Sequence, residues 1–200
     1  MEIDVSGDPI RLQKELNDLD MLATDFAKIL NESKINYVLV SGYVSILFGR
    51  SRSSEDIDLI VEKMAVDRFH TLWSKILQRF DCLIPDNSSS AYANYLTQNT
   101  SIRFAKRGQF LPNIEFMFPK TEGLDNWVLQ NAKEVALNGK RIRISPFELQ
   151  IAYKLFLGSN KDIEDARHLY KLFKANLDEL LLRQFLLKLD KQDLFRKNLA

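Results

Sequence analysis

The 200 residues carry 28 Lys and Arg against 27 Asp and Glu, a formal charge of +1, so the chain as a whole has no electrostatic pull toward nucleic acid. Hydrophobic residues make up 46% and charged residues 28%, which excludes a disordered chain and leaves room for one core domain with a small helical appendage. A lone Cys82 excludes an internal disulfide, the N-terminus lacks an apolar signal core, and no run approaches the roughly 18 apolar residues of a membrane span, so the expectation is a cytoplasmic protein with no membrane partner.

In chain order, Asp8-Pro9 reads as a helix start, with Leu12, Leu16, Leu19, Leu22, Phe26, Ile29 and Leu30 at helical spacing up to about Asn31. Asn36 to Val40 is a short β-forming strand, Tyr43 to Phe48 a short helix ended by Gly49, and Ile57 to Val61 a second strand. Val66, Phe69, Leu72, Trp73, Ile76, Leu77 and Phe80 mark a further amphipathic helix. After a polar loop, Ser88-Ser89-Ser90 reads as a cap for a helix over Ala91 to Leu96, and Ser101 to Lys106 and Asn113 to Phe118 read as strands. Asn138-Gly139 is the strongest hairpin signal, between Glu134-Val135-Ala136-Leu137 and Lys140 to Ile144. From Ser145-Pro146 onward the pattern is helical, broken at Gly158-Ser159-Asn160, with helices over Lys161 to Phe173, Leu177 to Leu189 and Asp193 to Leu199. The predicted class is α+β, a mixed sheet flanked by helices over residues 1–144, followed by a C-terminal helical region over 145–200.

Chemistry concentrates at Ser41-Gly42 and at Asp56-Ile57-Asp58-Leu59. Gly42 lets the backbone approach a ligand closely at a strand-to-helix turn, where a phosphate could sit. Alternation in the following strand puts both carboxylates on one side while Ile57 and Leu59 enter a core. Carboxylates held this close repel unless a cation joins them, and oxygen-only donors suit Mg²⁺ or Mn²⁺. Glu115, inside the apolar run Ile114 to Phe118, is costly there unless paired or bound to a cation. Lys154 borders the stripe of its helix, and Asp162 and Asp165 are neighbours on one face of the next.

A strand, a small-residue turn, a helix and then Asp-hydrophobic-Asp-hydrophobic resembles the nucleotidyltransferase superfamily built on the DNA polymerase β palm. The string Arg52-Ser53-Ser54-Glu55-Asp56-Ile57-Asp58, with Lys154 and then Lys161-Asp162-Ile163-Glu164-Asp165, is closest to the small prokaryotic AbiEii-type toxin branch. Where that family usually has Gly, this chain has Ser41, whose hydroxyl could itself donate to phosphate. The resemblance implies metal-assisted transfer of a nucleoside monophosphate from an NTP to a hydroxyl on RNA (a tRNA-like end), a protein or a small molecule. Asp56, Asp58 and Glu115 would be metal ligands. Ser41, Gly42, Arg52, Ser53, Lys154, Asp162 and Asp165 would line the nucleotide site, with Lys154 paired to phosphate. It also implies the toxin half of a toxin–antitoxin pair, hence an antitoxin partner. Two alternatives stand beside it: a catalytically degenerate palm that binds nucleotide or a protein, which the Ser41 substitution motivates, and an aminoglycoside-type adenylyltransferase. His70, His168, Cys82, Trp73 and Trp127 read as structural, and Lys133, Lys140, Arg141 and Arg143 as a solvated hairpin before a basic strip for RNA.

Overall fold

The N-terminal residues alternate with a period of two, and this decides their structure. The computed structural model describes residues 1–120 and 123–199. In it, β1 (Glu2–Asp4) and β2 (Ile10–Gln13) form an antiparallel hairpin around Asp8-Pro9, which corrects the helix expected to start there. Ile10 and Leu12 are buried while Arg11 and Gln13 are exposed, and β2 finds a parallel partner in β8 (Lys133–Leu137). The helix α1 (Asp18–Glu32) begins only at a capping box. Asn17 Oδ1 accepts from the Asp20 backbone N–H at 2.9 Å, and the Asp20 carboxylate accepts from the Asn17 N–H at 3.0 Å. Asn17→Ala is expected to cost about 1 kcal/mol, measurable as a lowered urea midpoint at unchanged slope.

Next come β3 (Tyr37–Leu39), α2 (Gly42–Leu47), β4 (Asp56–Val61) and α3 (Val66–Ile76), close to expectation. Phe80, expected to close the α3 stripe, instead opens an unforeseen strand, β5 (Phe80–Ile84). There it packs edge-on to Phe26 of α1 with ring centroids 5.1 Å apart, so a core contact overrides the helical spacing. A helical stretch follows as α4 (Ser88–Ser90), a π turn (Ala91–Tyr95) and a 3₁₀ turn (Leu96–Gln98). Its cap is Asn87, accepting from the Ser90 N–H at 2.9 Å, one residue ahead of the serines expected to do so.

Then β6 (Ile102–Lys106), β7 (Asn113–Met117), a helix α5 (Leu124–Gln130) absent from the sequence reading, β8 and β9 (Lys140–Ile144) complete the sheet. Asn138 and Gly139 take φ of 47° and 81°, as a two-residue hairpin of this type requires. The Asn138 side chain also donates to the Lys14 carbonyl at 2.8 Å, fastening the hairpin beside β2. The described residues form one mixed sheet in the order β1-β2-β8-β9-β3-β4-β7-β6-β5. On one face, α1 and α3 cover an aromatic core in which Phe26, Phe69 and Trp73 meet Phe104 and Phe116.

The chain closes with α6 (Phe147–Leu157), α7 (Asn160–Phe173), α8 (Glu179–Lys188) and α9 (Gln192–Asn198). Ser145 does not cap α6. Its N–H still donates to Leu39 O at 2.9 Å, extending the strand pairing, and Pro146 occupies the cap position. Gly158 ends α6 with φ of 73°, and Ser159 caps α7. Phe147 stacks on Phe173 and both meet Phe48 edge-on, so α6 and α7 are packed onto the end of α2. His168 makes a structural contact, its Nε2 lying 2.9 Å from the Phe48 carbonyl oxygen, which accepts. No helix among the described residues is long and apolar enough to cross a membrane.

Candidate active site

Strand β3 must turn sharply to feed α2, and Ser41 carries that turn at φ 61° and ψ −134°, a region where glycine is the unstrained residue. Gln150 of α6 holds it there from both sides. Its Nε2 donates to Ser41 O at 2.5 Å, and its Oε1 accepts from the Ser41 N–H at 3.3 Å. The Ser41 side chain is near enough to Asp58 to favour its charged form, and both line the same cleft. Gly42 beside it is buried for a specific reason. A Cβ there would sit 1.9 Å from Nη2 of Arg52, so the missing side chain is the space that the Arg52 guanidinium fills.

On β4, Asp56 and Asp58 lie half-buried on the face opposite Ile57 and Leu59. The parallel pairing of β4 with β7 puts Asp58 level with Glu115 and Asp56 level with Asn113, so the three predicted carboxylates share one face of two adjacent strands. Burial raises the Asp58 carboxyl above its ordinary value. The charges of Asp56 and Glu115 add to that effect, while the Ser41 hydroxyl and Lys154 oppose it. Asp56 accepts from the Ser54 hydroxyl at 3.2 Å. Glu115 is taken by the guanidinium of Arg103 on β6, its direct cross-strand neighbour. Asn113 is buried, with Oδ1 lacking a hydrogen-bond partner.

Behind this row opens a cleft of about 400 Å³ floored by Val40, Ile60 and Met117 and walled by Leu124 and Val128 of α5 and Leu149 and Tyr153 of α6. Ser41, Asp58 and Gln150 form its polar end. Tyr153 is partly exposed, and its hydroxyl is raised above the usual phenol range by burial and by Asp125 and Asp58.

The residues predicted on α6 and α7 meet below the Gly42 turn. Lys154 is buried, its Nζ 2.7 Å from Asp162 and 3.2 Å from Asp165. Asp165 is fully buried and reaches Nε of Arg52 at 3.2 Å and of Arg50 at 3.7 Å. Lys154 and Ser159 draw the Asp162 carboxyl below its ordinary value against the effect of burial. Lys154 is thus enclosed by two carboxylates, and Arg52 is the cation of this cluster that lies over the turn. Ser53 is exposed, and its carbonyl accepts from Arg52 at 3.1 Å.

Asp56, Asp58 and Glu115 present oxygen-only donors on one shared face, the donor chemistry that a hard divalent ion takes. Among the described residues no three His, Cys, Asp or Glu side chains already converge on one point, and Glu115 is turned to Arg103. Gln150, Arg103 and Ser54 are participants that sequence reasoning passed over. Gln150 left one signal, a polar residue four before Lys154 and therefore on the same helix face.

No family model matches the sequence, and no curated protein is significantly similar to it. Among solved structures, the fold is similar to an antigenic nucleotidyltransferase-like protein from Paracoccidioides brasiliensis, with a TM-score of 0.58 and 17% identity over 90% of this chain and 91% of that one. It is also similar to ANT(2")-Ia in complex with adenylyl-2"-tobramycin, with a TM-score of 0.50 and 17% identity over 82% of this chain and 95% of that one. The chain therefore has the α+β fold of nucleotidyltransferase-like proteins.

Proposed function

We propose that this protein transfers a nucleoside monophosphate from an NTP to an acceptor hydroxyl, using a divalent ion, Mg²⁺ or Mn²⁺, held by Asp56, Asp58 and Glu115. The observation that carries the reading is the placement of these three carboxylates on one face of β4 and β7, with Asp58 lining the cleft together with Ser41. When bound, the ion would neutralise the negative charge that grows during phosphoryl transfer. Arg52, laid over Gly42 and anchored by Asp165, faces the triphosphate as a fixed cation. Lys154 keeps Asp162 and Asp165 in place and lowers the proton affinity of Asp58. Glu115, once released from Arg103, is placed to take the acceptor's proton. The base occupies the apolar cleft beside Tyr153.

Support for the AbiEii-type branch is that Ser41-Gly42, Asp56 and Asp58, Lys154, and Asp162 and Asp165 follow in the resembled order, and that Lys154 pairs with Asp162 and Asp165. A toxin role, an RNA acceptor and an antitoxin partner go with that branch. A small-molecule acceptor is the second reading, favoured by the similarity of fold to ANT(2")-Ia, whose structure holds adenylyl-2"-tobramycin. Incubation with four α-³²P NTPs and Mg²⁺, supplied with RNA, cell protein or small-molecule extract, separates the readings. Label in the RNA fraction supports the first, and label confined to small hydroxyl compounds supports the second. NTP binding with no label anywhere would instead leave a non-catalytic nucleotide-binding palm.

One variant tests the turn itself. Gly42→Ala forces Arg52 out of its seat. Because only the end of a flexible side chain is displaced, the fold should hold while transfer falls by about tenfold or more through lost positioning. Unchanged steady-state kinetics would remove Arg52 from the phosphate site.

A further inference from the structure

Asp58, Glu115 and Arg103 stand in one row across β4, β7 and β6. The outer member carries the opposite charge, and its guanidinium is bonded to the Glu115 carboxylate. The two partners are unequal. The Glu115 side chain is 16% exposed and fixed by the sheet, whereas that of Arg103 is 52% exposed and free to leave toward solvent. A guanidinium matches a carboxylate well, yet a half-exposed ion pair is weak in water. A doubly charged ion flanked by Asp56 and Asp58 attracts the same carboxylate more strongly.

We propose that Arg103 is a built-in competitor of the divalent ion: it holds Glu115 while the metal site is empty and is displaced when the ion enters. The proposal rests on the metal reading above. It gives Arg103 a positioning role and makes ion binding a swap of one cation for another at Glu115. It also accounts for three carboxylates that share a face without converging. Loss of the competitor frees Glu115 and tightens the site.

Titration of the full chain with Mn²⁺ in the absence of nucleotide, followed by the electron paramagnetic resonance of the free ion, tests this. Arg103→Gln should bind Mn²⁺ about three- to fivefold more tightly than wild type, Arg103→Lys should fall between them, and Arg103→Gln should have no effect in a Glu115→Gln background. Equal or weaker binding by Arg103→Gln, or tightening that survives Glu115→Gln, would overturn the proposal. Arg103→Lys keeps the comparison decisive should Arg103→Gln fold poorly. The Asp58→Asn variant separates the two levels of inference. If it abolishes Mn²⁺ binding while Arg103→Gln changes nothing, the swap is wrong and the metal site stands. If it leaves Mn²⁺ binding intact, or if neither wild type nor Arg103→Gln binds the ion, the metal reading fails and the swap with it.

Discussion

Asp58→Asn is expected to lower nucleotidyl transfer by about a thousandfold or more, since it removes a charge needed only where phosphate charge develops, and at the same time to raise thermal stability. The second half follows from the environment of Asp58. Its carboxyl is raised from 3.8 by burial first and by the neighbouring charges of Asp56 and Glu115. A carboxyl with a raised folded-state value contributes its full stability below the unfolded value. That contribution is lost as pH climbs through the folded value, because the native state must then ionise in an unfavourable place. The stabilising effect of Asp58→Asn should therefore be absent below pH 3.8 and grow as pH rises above it. Calorimetry at acid and neutral pH measures it. A variant less stable than wild type at pH 7 would show that favourable contacts to the Asp58 carboxylate outweigh its burial and the neighbouring charges.

The largest loss of stability is expected from Asp165→Ala. Asp165 is fully buried and stands between Lys154, Arg52 and Arg50. Its two oxygens are held by charge, without well-aligned hydrogen bonds. Removing it leaves the buried Lys154 ammonium with Asp162 alone and sets two guanidinium groups beside it unneutralised. Breaking a buried pair this way costs about 3–5 kcal/mol, roughly 10 °C in a chain of this length. A loss under about 1 kcal/mol for the single variant would mean that water enters the cluster freely. Arg52 loses its anchor in the same variant, so transfer by the surviving folded fraction should fall as well.

The parts of this site that were legible in the sequence are those that local rules determine. Alternation alone put Asp56 and Asp58 on one face, and Asn138-Gly139 fixed the hairpin that brings Ile144 beside Leu39. Glu115 stood out as a carboxylate in an apolar strand, and the structure sets it level with Asp58. What was hidden depends on partners distant in the chain. Leu12 fits a helical series with Leu16 and Leu19, yet Ile10 and Leu12 become a strand because β8, more than a hundred residues on, offers a ladder. Phe80 fits the α3 stripe and is claimed instead by Phe26. Arg103 and Gln150 are ordinary polar residues by sequence. Only cross-strand register brings one to Glu115, and only the packing of α6 against the β3 turn brings the other to Ser41.

The most direct measurement compares two isotopic positions. One NTP labelled at the α-phosphate and the same NTP labelled at the γ-phosphate are incubated with Mg²⁺, wild-type protein and pooled acceptors, and covalently bound label is counted against Asp58→Asn. The expected result is label retained from the α position only, with the γ label recovered in pyrophosphate and nothing retained by the variant. Retention of γ label, or α label retained equally by Asp58→Asn, would contradict nucleotidyl transfer at these carboxylates.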